Sequence, residues 1–282
     1  MVENRPFLTF LSHFVVLLGV VVIAFPVWMT FVASTHDQQT MLKAPIPLLP
    51  GPYLIDNYAQ VITEGYGRVG SVAVWQTLTN SLIMALGITI GKIAISIIAA
   101  FAIVYFRFPF RMTFFWAIFV TLMLPVEVRI VPTYGVVANL GMLDSYSGLI
   151  IPLIASATAT FLFRQFFLSV PDELTEAARV DGASPMRFFW DILLPMSRTS
   201  IAALFVIQFI YGWNQYLWPL LITTKESFYT VVMTVSRQAN VVDSVPSWNL
   251  LMAMAMLAML PPVLVVVFMQ RQFVRGLVET EK

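Results

Sequence analysis

Six long apolar segments alternate with polar stretches along this chain, and this alternation predicts its architecture. A membrane helix needs about 20 predominantly apolar residues to cross the hydrocarbon core. Each of the six segments is about that long, and none shows the polar–apolar alternation of a membrane β-strand. The segments are residues 11–33, 79–106, 112–131, 146–166, 199–223 and 249–270. The pattern therefore predicts an all-α membrane protein with six transmembrane helices.

The first apolar segment is also the place where a secretory signal would stand. Its apolar run of about 20 residues exceeds the core of about 7–15 residues that is typical of a cleaved signal. We therefore expect residues 11–33 to form a retained transmembrane helix.

The composition agrees with lipid as the main solvent of the chain. Hydrophobic residues make up 59% of the 282 residues and charged residues 11%, whereas a soluble domain carries about 25% charged residues. This excludes an ordinary cytosolic enzyme, because too few charges are present to cover a soluble surface. A net charge of +1 excludes an electrostatic nucleic-acid binder. With no cysteine and two histidines, we expect no metal site.

The placement of lysine and arginine predicts that both termini are cytoplasmic, because cytoplasmic loops carry an excess of these residues. With the N-terminus inside, the outer segments hold Lys43, Arg68, Arg129, Lys225 and Arg237. The inner segments hold twice as many: Arg5, Arg107, Arg111, Arg164, Arg179, Arg187, Arg198, Arg271, Arg275 and Lys282. In this topology, residues 35–78 and 224–248 are outer loops, and residues 167–198 form the only long inner loop. Residues 1–282 then constitute a single transmembrane domain.

The inner loop is predicted to form two short helices joined by a turn. Pro171 suits a first helical position, and Gly182 can end the first helix in a left-handed conformation. Ser184 and Pro185 form a cap and first-position pair that starts the second helix, which Pro195 ends. A polar helical hairpin suits docking into a groove on another protein, and its small side chains, among them Ala177, Ala178 and Gly182, let a partner's backbone approach. A connector lying on the membrane surface is an equal alternative.

The same loop resembles the EAA motif of the permease subunits of ATP-binding-cassette (ABC) importers. The matching residues within 169–195 are Glu176, Ala177, Ala178, Asp181, Gly182, Ala183 and Ser184, followed by Phe189, Ile192 and Pro195. The resemblance implies the type I ABC importer permease fold, with this loop as the coupling helix in a cleft of a cytoplasmic ATPase. It also implies a non-catalytic subunit that binds no cofactor itself, since ATP and Mg²⁺ are held by the ATPase.

Other segments are similar to the carbohydrate-uptake branch of these importers. Residues 213–219 (WNQYLWP) resemble the smaller permease of maltose importers. Residues 1–6, 122–130, 155–167 and 273–278 more closely resemble the second permease subunit of sn-glycerol-3-phosphate importers. This resemblance implies import of sn-glycerol-3-phosphate across the bacterial inner membrane, with a phosphodiester or a sugar as alternative substrates. It implies a second permease, two copies of the ATPase and a periplasmic binding protein as partners.

Five polar residues in or beside the spans are candidates for the translocation path: Lys92, Glu127, Arg129, Asn214 and Gln215. A charge at the centre of a membrane helix costs about 2.5–3.5 kcal/mol on insertion scales, which invites a functional explanation. Lys92 could attract the phosphate ester that the resemblance implies, pair with Glu127, or extend its stem toward a polar cavity. Glu127 and Arg129 could line the pore or form an interfacial ion network. Asn214 and Gln215 could line the pore at an interruption of the fifth helix, or bond to a neighbouring helix.

One phosphate-loop-like motif and two alternative functions are less well supported by the sequence than the importer permease. Residues 87–92 (GITIGK) have three residues between their glycines, whereas a phosphate loop has four, and no Ser or Thr follows the lysine. Small residues four apart instead suit close helix packing. A membrane-embedded enzyme would need clustered catalytic groups, which the sequence does not contain. A stand-alone secondary transporter would leave the EAA-like loop unexplained.

Overall fold

Every regular element in the described part of the chain is helical, as the apolar pattern predicts. The computed structural model describes residues 6–65, 72–121, 124, 126–240 and 245–278. The α-helices are α1 (Pro6–Ser34), α2 (Gln38–Met41), α3 (Leu54–Glu64), α4 (Val74–Tyr105), α5 (Arg111–Val120), α6 (Val126–Asn139), α7 (Tyr146–Ile150), α8 (Ala157–Leu168), α9 (Asp172–Val180), α10 (Pro185–Phe188), α11 (Leu194–Met196), α12 (Arg198–Trp213), α13 (Leu217–Ile222), α14 (Val231–Ala239) and α15 (Trp248–Val278). Short 3₁₀ turns occupy Ile151–Leu153 and Glu226–Phe228, and a π-helical turn occupies Phe189–Leu193.

Three of the predicted spans are single long helices. Helices α1, α4 and α15 are each long and apolar enough to cross a membrane. Helix α4 begins at Val74, before the predicted start at 79, and α15 continues to Val278, beyond the predicted end at 270. Hydropathy detects the apolar centre of such a helix, but polar turns that continue the backbone hydrogen bonding at either end escape it.

The other three predicted spans are interrupted. Within the segment predicted at 146–166, Tyr146–Leu153 and Ala157–Leu168 meet at a bend of 48°. A second bend, of 70° between Pro185–Met196 and Arg198–Trp213, lies at the end of the predicted inner loop. The segment predicted at 112–131 consists of α5 and α6, and that at 199–223 of α12 and α13. At one interruption the Ser156 hydroxyl accepts the Ala159 amide and so caps a new helix, α8. An apolar count does not register such a cap, which explains why one continuous helix was predicted.

The predicted outer loops also contain helices. Residues 35–78 include α2, α3 and the start of α4, and residues 224–248 include α14. The amphipathic helix α3 is fixed by Asn57, whose Nδ2 donates to the carbonyls of Ser34 at 2.9 Å and His36 at 2.8 Å. Asn249 donates to the Asn57 side-chain oxygen at 3.0 Å. These long-range bonds stabilise α3 within a segment that was predicted to be a loop rich in proline and glycine.

The chain divides into two compact units, and the residues of the candidate sites belong to one of them. One unit comprises residues 1–75 and 235–260, and the other residues 76–234 and 261–282. The single domain expected over 1–282 stays a prediction. In the second unit, α4 packs closely against the bend between α7 and α8. A Cβ atom on Gly91 would lie 2.6 Å from Ile154 Cγ2, and one on Gly87 equally close to Ile150 Cδ1. These contacts confirm the helix-packing interpretation of residues 87–92.

Candidate coupling loop and polar cavity

The predicted helical hairpin is present in the inner loop. Gly182 adopts φ +69° after the end of α9. The Ala183 amide donates to the Ala178 carbonyl at 2.8 Å, and the Gly182 amide donates to the Arg179 carbonyl at 3.1 Å. These two bonds form a Schellman motif, in which a left-handed glycine completes the end of a helix. The Ser184 hydroxyl then accepts a backbone amide and caps α10, as predicted.

Two prolines of the hairpin play different roles from those predicted. Pro171 is the N-cap of α9, one position before the helix starts. Pro195 does not end the second helix, which continues through the π-helical turn and α11 to Met196. Pro195 removes one backbone N–H from this continuous helix, which departs from α-helical geometry in the π-helical turn just before it.

One face of the hairpin is buried in the core of its own unit. Ala178, Phe188, Phe189 and Leu193 join a cluster of buried residues from α4, α8 and α12. The Phe189 ring lies 4.9 Å from the Phe101 ring of α4, centroid to centroid. Protein interiors are close-packed and transmit displacement. The hairpin is therefore packed directly on α4.

The opposite face of the hairpin is exposed. It carries Glu176, Ala177, Asp181, Gly182 and Ser184 of the EAA-like motif. Ala178 is only 6% exposed and faces the chain's own core, and Ala183 is half-buried against that core. The expectation that Ala178 is small to admit a partner's backbone is therefore corrected: it is small because its own core is close. Ala177 and Gly182 retain that interpretation.

A cavity of about 430 Å³ brings two of the candidate path residues together. Lys92 and Arg129 both line it, with Thr121, Ser156 and Thr158 supplying hydroxyl groups and Tyr211 an aromatic ring. Asn214 and Gln215 are not among its lining residues in the described part of the structure. They lie where α12 ends: the Asn214 amide donates to the Ile210 carbonyl and the Gln215 side chain to the Tyr211 carbonyl, both at 3.1 Å. The predicted interruption of the fifth helix is thus present.

Lys92 is buried, and its two partners in the described part of the structure are neutral. Its Nζ donates to Gln208 Oε1 at 3.1 Å and lies 3.5 Å from the centroid of the Tyr211 ring. A lysine over an aromatic face is held by a cation–π interaction. The side chain of Glu127 lies outside the described residues, so the pairing and ion-network hypotheses that involve it stay predictions. Sequence reasoning could not find Gln208 and Tyr211, because nothing along the chain marks them as neighbours of Lys92.

A comparison with known families decides the class of the protein. Residues 92–279 match the family described as "Binding-protein-dependent transport system inner membrane component". The chain belongs to this family. It is 56% identical over 282 residues to the "sn-glycerol-3-phosphate transport system permease protein UgpE" of Agrobacterium fabrum, and 57% identical to the protein of the same name from Escherichia coli O157:H7. In both cases the match covers 100% of each chain.

The fold of this permease agrees with a solved transporter structure. The crystal structure of a bacterial ABC transporter involved in the import of the acidic polysaccharide alginate has a chain that matches with a TM-score of 0.82. The match covers 97% of the permease and 99% of that chain at 18% sequence identity. The predicted ABC permease fold and family are therefore confirmed. The chain is the non-catalytic, multi-pass membrane component of an ABC transport system, which works with a partner permease, an ATPase and a binding protein.

The sequence analysis missed one polar cluster, at Asp144. This residue has φ +50°, and its carboxylate accepts the Thr224 amide at 2.6 Å, the Thr224 hydroxyl at 2.7 Å and the Lys225 amide at 2.9 Å. The Lys225 backbone hydrogen bond, with help from the Thr224 hydroxyl, holds the pKa of Asp144 below its usual 3.8. A carboxyl with a lowered pKa stabilises the folded state above its unfolded pKa. This contribution is lost as the pH falls through the lowered value.

Further bonds fix the residues that follow Lys225. Asn80 Nδ2 donates to the carbonyls of Ser227 at 2.8 Å and Tyr229 at 2.9 Å. The Tyr146 hydroxyl in turn donates to Asn80 Oδ1 at 2.7 Å. Residues 224–229, which the sequence analysis assigned to a loop, are therefore held in one conformation by α4 and by the turn that contains Asp144.

Replacing Asp144 with asparagine should release this segment. An amide carries no charge and offers one acceptor oxygen, so it cannot accept all three bonds at full strength. We expect trypsin to cleave the detergent-solubilised D144N permease after Lys225 several-fold faster than the wild type. The matched control is Asp37→Asn, which removes another capping carboxylate, that of α2. Equal cleavage rates at Lys225 in D144N and wild type would contradict the assignment.

Proposed function

We propose that this permease forms half of the pathway by which sn-glycerol-3-phosphate crosses the bacterial inner membrane. The observation that carries this proposal is the identity of 56–57%, over the full length of both chains, to permeases named for sn-glycerol-3-phosphate transport. The match covers the whole chain, including the segments that form the coupling loop and the polar cavity. Glycerophosphodiesters are the second substrate class, since they share the glycerol phosphate group.

The complete importer contains four kinds of subunit in this proposal. A second, distinct permease supplies the other half of the pore. Two copies of an ATPase dock on the cytoplasmic side, where they bind ATP and Mg²⁺, and a periplasmic binding protein delivers the substrate. The family description supports an assembly of this general kind.

The hairpin transmits the ATPase cycle to the membrane helices. Its exposed residues Glu176, Ala177, Asp181, Gly182 and Ser184 engage the ATPase, and Ala178 and Ala183 anchor the hairpin to its own core. ATP-driven closure of the ATPase dimer displaces the hairpin. Because Phe189 packs on Phe101, the displacement reaches α4, the helix that carries Lys92. The permease then changes from inward-open to outward-open, receives substrate from the binding protein, and resets after hydrolysis.

The translocation path follows the polar residues of the second unit. Lys92 and Arg129 line its cavity, and Asn214 and Gln215 lie at the interruption after α12. Glu127, the second residue of α6, is the fifth residue in the proposed path.

Reconstitution tests the proposed substrate. The permease is purified with its partner permease and ATPase, placed in proteoliposomes, and supplied with the binding protein. We expect ATP-dependent uptake of radiolabelled sn-glycerol-3-phosphate that unlabelled glycerophosphodiester reduces and maltose does not. Uptake of maltose with none of sn-glycerol-3-phosphate would overturn the proposal.

A further inference from the structure

The described residues that line the polar cavity include two cations. Lys92 and Arg129 line it, and no carboxylate is found among its described lining residues. Hydroxyl groups of Thr121, Ser156 and Thr158 line it as well. A second cavity in the same unit, of about 440 Å³, is lined entirely by apolar residues such as Ile97, Phe101 and Phe205. The second unit therefore contains one cavity lined by cations and hydroxyl-bearing residues and another lined only by apolar residues.

Lys92 is buried, and the described residues that contact its ammonium group carry no opposite charge. The side chain is 6% exposed and its hydrogen-bond partner, Gln208, is neutral. Burying a charge is costly unless an opposite charge or several hydrogen bonds offset the lost hydration. One amide oxygen and one aromatic ring use only part of what an ammonium group with three donors can bind. An anion in the cavity would accept the remaining donors of the Lys92 ammonium group and offset its charge.

The first residues of α8 also line the cavity. Ala155, Ser156, Ala157 and Thr158 line it at the point where the span bends by 48° and α8 begins. The Ala159 amide donates to the Ser156 hydroxyl, and the Thr160 amide donates to the Ser156 carbonyl. The amides of Ala157 and Thr158 occupy the first two helical positions, where backbone donors have no intrahelical partner. The first turn of a twelve-residue helix thus adds donors and a favourable dipole for an anion.

We propose that this cavity binds the phosphate group of a phosphate monoester during its passage through the permease. Arg129 provides a planar fork of donors suited to two phosphate oxygens, and Lys92 a point charge. Gln208 and Tyr211 position the Lys92 ammonium, and Ser156 and Thr158 supply the neutral donors. The inference rests on the proposed function for the identity of the solute, and it adds the place where the charged end of that solute binds.

Charge-removing substitutions provide the first test, in proteoliposomes with saturating, substrate-loaded binding protein. Lys92→Gln and Arg129→Gln should each lower the maximal uptake rate of sn-glycerol-3-phosphate about tenfold or more, the loss expected when a charged hydrogen bond is removed. Both variants should still copurify with the partner permease and the ATPase, which shows that the complex has assembled. Lys43→Gln is the matched control, because it removes one positive charge from an exposed position outside the cavity.

A thiol-protection experiment provides a second, independent test. The chain has no cysteine, so Thr158→Cys introduces a single thiol into the cavity lining and the exposed Leu42→Cys introduces one elsewhere. We expect sn-glycerol-3-phosphate and inorganic phosphate to slow methanethiosulfonate labelling of T158C at least about threefold. Glycerol should not protect it, and none of the three compounds should protect L42C.

The outcomes separate this inference from the proposed function. Normal sn-glycerol-3-phosphate uptake by the wild type, K92Q and R129Q, with no protection of T158C, overturns the phosphate site and leaves the proposed substrate intact. Absence of uptake by the wild-type importer, with transport of another solute, overturns both. If either variant fails to assemble, protection of T158C by inorganic phosphate decides for the site and its absence against it.

Discussion

Replacing Gly182 with valine is expected to impair ATP-coupled uptake strongly while the permease remains in the membrane. Gly182 has φ +69°, a conformation that costs an L-residue about 1–2 kcal/mol and a β-branched residue more. The two bonds of the Schellman motif would be lost, and with them the orientation of exposed Glu176 and Asp181. Since coupling between sites is typically worth about 1–3 kcal/mol, we expect substrate-dependent ATP hydrolysis to fall about tenfold or more.

The chain offers a matched control for this substitution in Gly141. Gly141 also has a positive φ, +67°, and its Cβ position is equally open. The Met142 amide donates to the Val137 carbonyl and the Gly141 amide to the Ala138 carbonyl, so α6 also ends in a Schellman motif. Gly141→Val carries the same backbone strain outside the inner loop and should retain coupled ATP hydrolysis. Equal loss of coupling in G182V and G141V would show that strain alone, and not the coupling loop, explains the result.

Replacing Gly148 with alanine is expected to reduce the fraction of permease molecules that fold. A Cβ atom there would overlap the carbonyl oxygen of Met142, a backbone atom that cannot rotate away as a side chain would. The Gly148 carbonyl also accepts the Trp218 indole N–H at 3.1 Å, which limits movement of α7. We expect destabilisation at the upper end of the overpacking range, about 3 kcal/mol. Size-exclusion chromatography in detergent should show a reduced monodisperse peak, with a lowered melting temperature.

Gly135→Ala is the control for this second substitution. Gly135 lies inside α6, and apart from its chain neighbours and its own helix backbone no atom of the described residues lies within 4 Å of the Cβ position there. Glycine in a helix interior is less favourable than alanine by about 1 kcal/mol. The G135A permease should therefore fold at least as well as the wild type. A melting temperature for G148A at or above that of wild type would contradict the predicted backbone overlap.

Much of the fold could be predicted from local sequence. The apolar runs located α1, α4 and α15, because a helix that satisfies its own backbone hydrogen bonds can be recognised by hydropathy and length. The hairpin could be predicted for a related reason. Gly182 and Ser184 act on amides within a few residues, so their roles as a helix end and a cap depend little on the rest of the chain.

The interruptions of the spans were less predictable. Ser156 begins a new helix within an apolar segment, and Pro195 does not end one. In both cases the result depends on how the backbone donors nearby are satisfied. A hydropathy profile contains no information about those donors.

By itself, the sequence determined that this protein is helical and embedded in lipid. It also located the inner loop and, through the EAA-like motif, indicated the family. These follow from interactions between residues that are close along the chain, or from a pattern that repeats in relatives. Tertiary structure decided which face of the hairpin is free, since the burial of Ala178 depends on distant aromatic residues of α4 and α8. It also brought Lys92, Arg129 and the start of α8 to one cavity. Such groupings depend on packing between helices far apart in sequence, which no local pattern encodes.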